Sequence, residues 1–344
     1  MLPSTRVAVL CLIHLILAPL TGCWGKSGPE VVVYSALDRE FSEPILTEFS
    51  ERTGVKVLPV YDIESTKTVG LANRIIRERN NPQCDLFWNN EILHTLRLQK
   101  LGVLDVYLSP AAKDFSDDYK AADGSWHGLA ARARVLIVNK RVLPDSESWP
   151  QSIEDLADPK WKGQVAIAKP LAGTTASHAA VLFSKWGDEI ARDFFVRLKR
   201  NAEVLSGNKQ VALAVGRGQF AFGLTDTDDA IIEIDEGQPV AIVYPDQAEG
   251  AVGTLFIPNT LCLIKDSPNA NSARKLVDFL LSPDVETKLA NGRSAQFPIS
   301  RQVNIQSRAR PDHPVRWMDV DFVAAADQWD QARAFLIQKF ESAE

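Results

Sequence analysis

The sequence predicts an α/β protein that is large enough for two domains. The chain has 344 residues, and a single hydrophobic core stops growing at about 250–300 residues. Strand-like and helix-like segments alternate with short connections, which favours right-handed crossovers and a mostly parallel sheet. Apolar residues make up 45% and charged residues 24% of the chain, as in an ordinary soluble globular protein. The net charge of −6, with no Lys/Arg-rich block, gives no indication of a nucleic-acid partner.

The first third of the chain predicts three strand–helix pairs. The strand EVVVYSA begins at Glu30, and the amphipathic helix that follows places Phe41, Ile45 and Phe49 on one face before Gly54 ends it. The strand VKVLPVYD and the helix TVGLANRIIRERNN come next, then the strand CDLFWNN and the helix EILHTLRLQKLG. Residues 110–124 are polar and predict loop and turn.

The rest of the chain continues this alternation. GLAARARVLIVNK predicts a long β segment, SIEDLADPKWKG a helix and loop, and QVAIAKP a strand. GTTASHAAVLFSKWG and EIARDFFVRLKRN predict helices, and NKQVALAVGRGQFAFGL a helix followed by a strand. PVAIVYPD and GTLFIPNTLCLIKD predict strands, and the segments from Asn269 and from Val320 onward predict helices.

The N-terminal segment predicts export. Residues 1–22 carry one arginine before an apolar run that is too short for a comfortable transmembrane helix, which is typical of a signal peptide. The run ends in LTGC, which resembles a bacterial lipobox with Cys23 as the lipidated residue; an ordinary signal peptide with a chance cysteine is the alternative. Residues 23–30 would then be the lipid anchor and tether of a soluble body at a membrane surface.

Two cysteines remain in the predicted mature body, Cys84 and Cys262. Each lies beside a strand-like stretch, and an exported compartment permits a disulfide between them. Buried thiols are the simpler interpretation. The sequence does not decide whether the two residues pair.

Five segments, taken in order, carry a resemblance to a known family. They are VVVYSALDREFSEPILTEFSERTGVKV, LANRIIRERNNPQCDLFWNNE, GLAARARVLIVNK, GQFAFGLTDTDD and LVDFLLSPDVETKLA. The chain resembles the periplasmic solute-binding proteins of bacterial ABC importers, and within them the ferric-iron-binding subgroup. The resemblance implies a periplasmic-binding-protein type II-like fold, with two α/β lobes joined by a two-stranded hinge. Lobe one would hold residues 31–130 and 252–300, and lobe two residues 131–251 and 301–344. Segments 132–135 and 251–254 would be the hinge.

The resemblance also implies a set of candidate metal ligands. Ferric-binding relatives use two adjacent tyrosines after the GL strand, a histidine after the first strand and a glutamate on the second helix. The matching positions here are Asp228 and Asp229, Asp38, and Glu78. Carboxylates therefore replace the phenolates and the imidazole. An all-oxygen site of this kind accepts a hard cation, and it would stabilise an organic cation equally well.

The stretch DTDD has an ordinary alternative interpretation. Aspartate is common in exposed turns, and one of the three carboxylates can cap the helix that begins near Ala230. Capping does not readily account for three carboxylates between two apolar segments. We therefore include Asp226 with Asp228 and Asp229 as a candidate ligand residue.

The second candidate feature is the start of a helix at Gly173, Thr174 and Thr175. Free backbone N–H groups and the helix dipole favour an anion at such a point, and the resemblance implies either an anion bound beside iron or the substrate's own phosphate or carboxylate. Helix capping by a threonine is the alternative. The two roles do not exclude each other.

Other candidate ligand-binding residues lie at the ends of strands one and three and on strand four. Ser35 and Ala36 would let a ligand approach the backbone, or would simply pack in a tight turn. Trp88 and Asn89 would face the cleft, or be a core tryptophan and a turn residue. Arg132 shares one strand face with Arg134 and would reach an anion, with a surface salt bridge as the alternative.

These observations together predict a binding protein rather than an enzyme. The sequence contains no G-x-S-x-G, Walker or H-E-x-x-H motif. We expect a monomeric, periplasmic, membrane-anchored lipoprotein that captures Fe(III), with a synergistic anion, and delivers it to an ABC permease. A small solute that bears an amine and a phosphonate or phosphate is the alternative ligand. A carboxylate-based hydrolase is a more distant alternative.

Overall fold

The computed structural model describes residues 28–63 and 66–341. The predicted signal peptide, the lipidated Cys23 and most of the predicted tether lie outside the described residues. Within the described ranges, none of the helices combines the length and the apolar character needed to span a bilayer.

The described residues contain nine strands and ten α-helices. The strands are β1 Glu30–Ser35, β2 Lys56–Tyr61, β3 Leu86–Asn89, β4 His127–Asn139, β5 Val165–Ala168, β6 Glu203–Leu205, β7 Phe222–Asp226, β8 Val240–Val243 and β9 Phe256–Leu263. The helices are α1 Arg39–Thr53, α2 Val69–Glu78, α3 Leu93–Lys100, α4 Gly173–Trp186, α5 Asp188–Asn201, α6 Asn208–Gly216, α7 Thr227–Asp235, α8 Ala270–Leu280, α9 Pro283–Asn291 and α10 Phe322–Phe340.

The long strand β4 belongs to two sheets and thereby joins two α/β lobes. The first sheet has the order β2-β1-β3-β9-β4, and the second has the order β4-β7-β5-β6, with β8 also paired to β4. β4 pairs with β9 as far as Ala133 and with β7 from Arg134 onward. The Arg134 N–H donates to the Leu255 carbonyl at 2.9 Å, so the returning chain lies against this changeover. The two-lobed fold class predicted from the sequence is confirmed.

The predicted mostly parallel sheet is wrong. Of the eight strand pairs in the described residues, four are parallel and four are antiparallel. The antiparallel pairs all involve β4 or β9, the two strands next to the changeover. These strands return the chain from one lobe to the other, which the alternation of strands and helices does not reveal.

One predicted helix is also different. SIEDLADPKWKG forms two short 3₁₀ turns, Ile153–Ala157 and Pro159–Trp161, instead of an α-helix. Proline disfavours the α conformation of the residue before it and lacks an N–H to donate. Pro159 therefore separates the two turns.

The C-terminal helix α10 contacts both lobes. It packs on α4 and α5, and also on α3. Trp329 of α10 lies in the large core of the second lobe and contacts the ring of His94 on α3 edge-on, at 5.9 Å between centroids. The lobe boundaries drawn from the sequence stay a prediction.

Cys84 and Cys262 are both buried and unpaired. They lie in the apolar core of the first lobe, and burial raises the pKa of both thiols. The interpretation of these residues as buried thiols is confirmed.

Candidate functional site

The candidate site lies between the lobes, where three helices begin at the same edge of the second sheet. β5 is parallel to both β6 and β7, and α4, α6 and α7 follow these strands. The residues at the cap positions of the three helices are Ala172, Gly207 and Asp226, and none of them makes a capping hydrogen bond with its side chain. The alternative of capping by Thr174 or Thr175 is wrong, because Ala172 holds the cap position of α4. The N–H-rich ends of the three helices converge on one cavity.

Residues of both lobes line this cavity. Gly173, Thr174, Gly207 and Asn208 come from the helix starts of the second lobe, while Lys67 and Asn90 come from the first. The remaining space is about 20 Å³, which is room for one water-sized group. The lobes are thus closed on each other, and anything larger enters only when they separate.

Asp226 is held in a dense buried network. Its Oδ1 accepts a hydrogen bond from Arg134 Nη1 at 2.7 Å, and its Oδ2 accepts from Thr174 Oγ1 at 2.6 Å and Asn208 Nδ2 at 3.0 Å. Arg134 Nη2 also donates to Thr175 Oγ1 at 3.1 Å. Burial raises the pKa of Asp226, but the nearby Arg134 charge and these hydrogen bonds hold it below its usual value. Asp226 is therefore an ionised partner of Arg134.

Asp228 has one engaged and one unengaged oxygen. Its Oδ2 lies 3.0 Å from Arg132 Nη1, and Arg132 Nη2 donates to Asn259 Oδ1 at 3.0 Å. Asp228 Oδ1 is buried and has no hydrogen-bond partner among the described residues. Burial, partly offset by the Arg132 charge, raises the pKa of Asp228 to about 6. A buried carboxylate oxygen without a donor is costly, so this atom is an unsatisfied acceptor in the closed arrangement.

Charged side chains of the cleft are paired with opposite charges. Lys67 Nζ lies 2.5 Å from Asp38 Oδ1, and Lys209 Nζ lies 3.1 Å from Glu40 while its charge also interacts with Asp38 and Asp229. The described cleft thus contains four carboxylate–cation pairs, with Asp229 beside them: Asp38 with Lys67, Glu40 with Lys209, Asp226 with Arg134 and Asp228 with Arg132.

The three predicted aspartates of the DTDD stretch do lie together. Asp226, Asp228 and Asp229 each bring one oxygen within 4.8 Å of the others. Glu78, also proposed as a metal ligand, is engaged elsewhere: it accepts hydrogen bonds from the Tyr34 hydroxyl at 2.8 Å and from Arg74 Nε at 2.7 Å. Asp38 and the aspartates of the DTDD stretch all lie near the charge of Arg132. Glu78 is not part of this group.

The candidates at the ends of β1 and β3 are buried within the first lobe. The Ser35 hydroxyl donates to the Leu37 carbonyl at 3.0 Å, and Ala36 lies in an apolar core. Trp88 is fully buried in the other core of this lobe, and Asn89 Nδ2 donates to Glu91 at 2.8 Å. Their contact with a ligand stays a prediction.

Sequence reasoning missed Lys67, Glu91, Asn208 and Asn259. Asn208 had a usable signal, because it is the polar first residue of a helix that follows a strand and a Ser-Gly pair. Lys67 and Glu91 had none, since a lysine and a glutamate in polar stretches usually face solvent.

Two hydrogen bonds join helix α4 directly to the first lobe. The Gly173 N–H donates to the Lys67 carbonyl at 3.1 Å, and Ser177 Oγ of α4 donates to Glu91 Oε2 at 2.6 Å. Glu91 is fully buried and also accepts from the backbone N–H groups of Leu93 and His94. Ser177 is its partner from the opposite lobe.

We expect Ser177→Ala to shift the chain toward an open arrangement. The substitution leaves a buried carboxylate oxygen short of a donor only when the lobes are closed, which weakens closure by about 2 kcal/mol. Small-angle X-ray scattering should show a larger radius of gyration. Ser184→Ala, on the same helix and less buried, is the matched control. Equal radii for the two variants would contradict this role of Ser177.

Comparison with known proteins places this site in context. Residues 85–326 match the family model described as bacterial extracellular solute-binding protein. The chain is 26% identical over 294 residues to Iron uptake protein A1 of Synechocystis (82% of this chain, 79% of the relative). It is 24% identical over 295 residues to the Major ferric iron-binding protein of Neisseria meningitidis serogroup A (83% and 86%).

Other relatives carry different names. A Salmonella typhi periplasmic protein to which 2-aminoethylphosphonate binding is ascribed is 26% identical over 296 residues (83% of this chain, 82% of the relative). Among solved structures, the periplasmic binding protein AfuA of Actinobacillus pleuropneumoniae, with exogenous fructose-6-phosphate bound, has a TM-score of 0.81 at 23% identity (92% and 100%). A ferric binding protein of Campylobacter jejuni has a TM-score of 0.80 at 22% identity (90% and 99%). At this level of identity the structures establish a shared fold.

Proposed function

This chain belongs to the bacterial extracellular solute-binding protein family, and from that premise we propose that it captures a small organic solute carrying both an ammonium and a phosphonate or phosphate group. The observation that carries this proposal is the balance of charge in the cleft. Asp226 and Asp228 are each paired with a buried arginine, so the site has little net charge to offer a lone cation. A solute with both charges keeps that balance.

The anionic end of the solute fits the helix starts. The first turns of α4 and α6 offer backbone N–H groups, and Lys67 lines the same cavity. Backbone N–H donors and the helix dipole are sufficient to stabilise a phosphate-like group. The side chains of Thr174 and Thr175 are already engaged with Asp226, Asn208 and Arg134, so the backbone makes this contact.

The ammonium end fits Asp228. Its Oδ1 is the one buried carboxylate oxygen without a partner among the described residues, and Asp229 lies beside it. An ammonium group offers three donors. One of them would satisfy Asp228 Oδ1 and relieve the cost of burying it unpaired.

Ferric iron is the second candidate, and one observation favours it. The clustered oxygens of Asp226, Asp228 and Asp229, next to a cavity of about 20 Å³, resemble an all-oxygen site for a hard cation. A trivalent ion there would meet the charges of Arg132 and Arg134, and Asp226 would have to exchange existing hydrogen bonds for the metal. We therefore rank it below the organic solute.

The route of delivery is part of the proposal. Proteins of this family work with ABC permeases, and closure of two lobes around a solute needs no bond chemistry. We place the chain in the periplasm, held at a membrane by a lipid on Cys23, and regard it as a monomer. A carboxylate-based hydrolase fits less well, because Asp226 is fully engaged in its ion pair.

The ligand classes are separated by calorimetry and thermal shift on the purified chain. The probes are 2-aminoethylphosphonate, ethylphosphonate, which lacks the amine, and ferric citrate. We expect 2-aminoethylphosphonate to bind at least tenfold more tightly than ethylphosphonate and to raise Tm by mass action. If only ferric citrate raises Tm, the ligand is iron and the organic solute is ruled out.

A further inference from the structure

The hinge strand β4 contains a β-bulge next to the candidate site. Leu129 pairs with Asn259 and Ala131 with Pro258, so Ala130 is an inserted residue without a partner in β9. Ala130 has φ 45°, in the left-handed region that a non-glycine residue enters at a cost of about 1–2 kcal/mol. Proline is confined to edges and bulges in sheets because it cannot donate to the ladder, and Pro258 lies opposite this bulge.

The bulge decides which face of the strand carries Arg132. Residues that pair across a sheet share a face, and alternate residues face the same side. In the observed register Arg132 pairs with Ile257, two residues from Asn259, so Arg132 and Asn259 lie on one face. Without the inserted residue, Arg132 would fall opposite Phe256 and turn away from Asn259. Its face toward β7 and Asp228 follows separately from the pairing of Arg134 with Asp226.

Two buried side chains hold the bulge from outside the strand. Glu286 of α9 accepts the Ala130 N–H at 2.7 Å, and also the backbone N–H groups of Ile299 and Ser300. Asn259 Nδ2 donates to the Leu129 carbonyl at 2.8 Å and the Ala130 carbonyl at 3.2 Å. The backbone groups that an inserted residue leaves outside the ladder are thereby satisfied.

Asn259 also connects the bulge to the charged site. Its Oδ1 accepts from Arg132 Nη2 at 3.0 Å, while Arg132 Nη1 contacts Asp228 Oδ2 at 3.0 Å. The guanidinium is thus held between Asn259 and Asp228. This arrangement occupies one oxygen of Asp228, and the other has no hydrogen-bond partner among the described residues.

We infer that Asn259 and Glu286 are positioning residues: by fixing the bulge at Ala130 they orient Arg132 against Asp228 and so set the selectivity of the cleft for an amine-bearing solute. The inference rests on the proposed function for the nature of the ligand. The placement of Arg132 itself is independent of any ligand.

The test compares Asn259→Ala with Asn139→Ala. Asn139 is also buried, lies at the other end of β4 and binds the Val215 carbonyl at 2.7 Å, without contact to Arg132. The readouts are the NMR signal of the Arg132 Nε–H, identified by its loss in Arg132→Lys, and the ratio of affinities for 2-aminoethylphosphonate and ethylphosphonate. We expect Asn259→Ala to shift or broaden that signal and to lower the ratio at least fivefold, and Asn139→Ala to change neither.

The inference is overturned if Asn259→Ala leaves both the Arg132 signal and the affinity ratio as they are in the unchanged chain. If Asn259→Ala does not fold, Glu286→Gln takes its place with the same two expectations, because it alters the acceptor of the Ala130 N–H. If the unchanged chain binds neither phosphonate, the proposed function fails while the NMR signal still decides whether Asn259 positions Arg132.

Discussion

Arg134→Met is expected to destabilise the folded chain by about 3–5 kcal/mol, the usual cost of removing one partner of a buried ion pair. Methionine fills much of the volume but leaves the Asp226 carboxylate buried, with only Thr174 and Asn208 as donors. Arg134 is completely buried, so bulk water cannot solvate the Asp226 carboxylate in place of the lost guanidinium. Urea unfolding monitored by tryptophan fluorescence measures the loss.

A surface pair provides the control for this experiment. Arg197 contacts Asp193 at 2.8 Å, with 38% and 66% of the two side chains exposed, and Arg197→Met should cost less than about 1 kcal/mol. Adding Asp226→Leu to Arg134→Met removes the stranded charge and should recover part of the loss. If Arg134→Met and Arg197→Met lower the free energy of unfolding equally, the buried ion pair contributes no more to stability than the surface pair.

Local sequence patterns predicted most of the elements of this fold. The period-two placement of Arg132 and Arg134 put both on one strand face, and both do lie in the cleft with the aspartates at the end of β7. The pairing itself was not predictable, because Arg134 and Asp226 are 92 residues apart and meet only through the antiparallel register of β4 and β7. An arginine whose partner is that distant in sequence resembles any surface arginine.

Two other features were hidden for different reasons. The bulge at Ala130 has no glycine or asparagine to indicate a positive φ, and its stabilising groups come from Asn259 and Glu286, far along the chain. Glu78 was chosen as a ligand by its place on the second helix, but Tyr34 and Arg74 engage its carboxylate. A resemblance identifies a position in the chain, whereas the direction of a side chain depends on neighbours that the pattern does not contain.

Asp228→Asn is expected to reverse the ligand preference of the cleft. The substitution keeps the shape of the side chain but removes the charge that would hold an ammonium group, which should weaken 2-aminoethylphosphonate by about 2 kcal/mol or more, roughly 30-fold in Kd. It also leaves the Arg132 charge without its closest carboxylate, so ethylphosphonate should bind as well as before or better. Isothermal titration calorimetry with both phosphonates measures the two changes.

The opposite signs of these changes separate a ligand contact from damage to the fold, since an unfolded or distorted cleft would weaken both phosphonates together. Glu78→Gln is the matched control: it changes another carboxylate chosen from the same resemblance, but one that Tyr34 and Arg74 hold outside the cleft, and it should alter neither affinity. If Asp228→Asn leaves 2-aminoethylphosphonate binding intact and abolishes the effect of ferric citrate on Tm, the aspartates hold a metal ion and the charge balance of the cleft does not select its ligand.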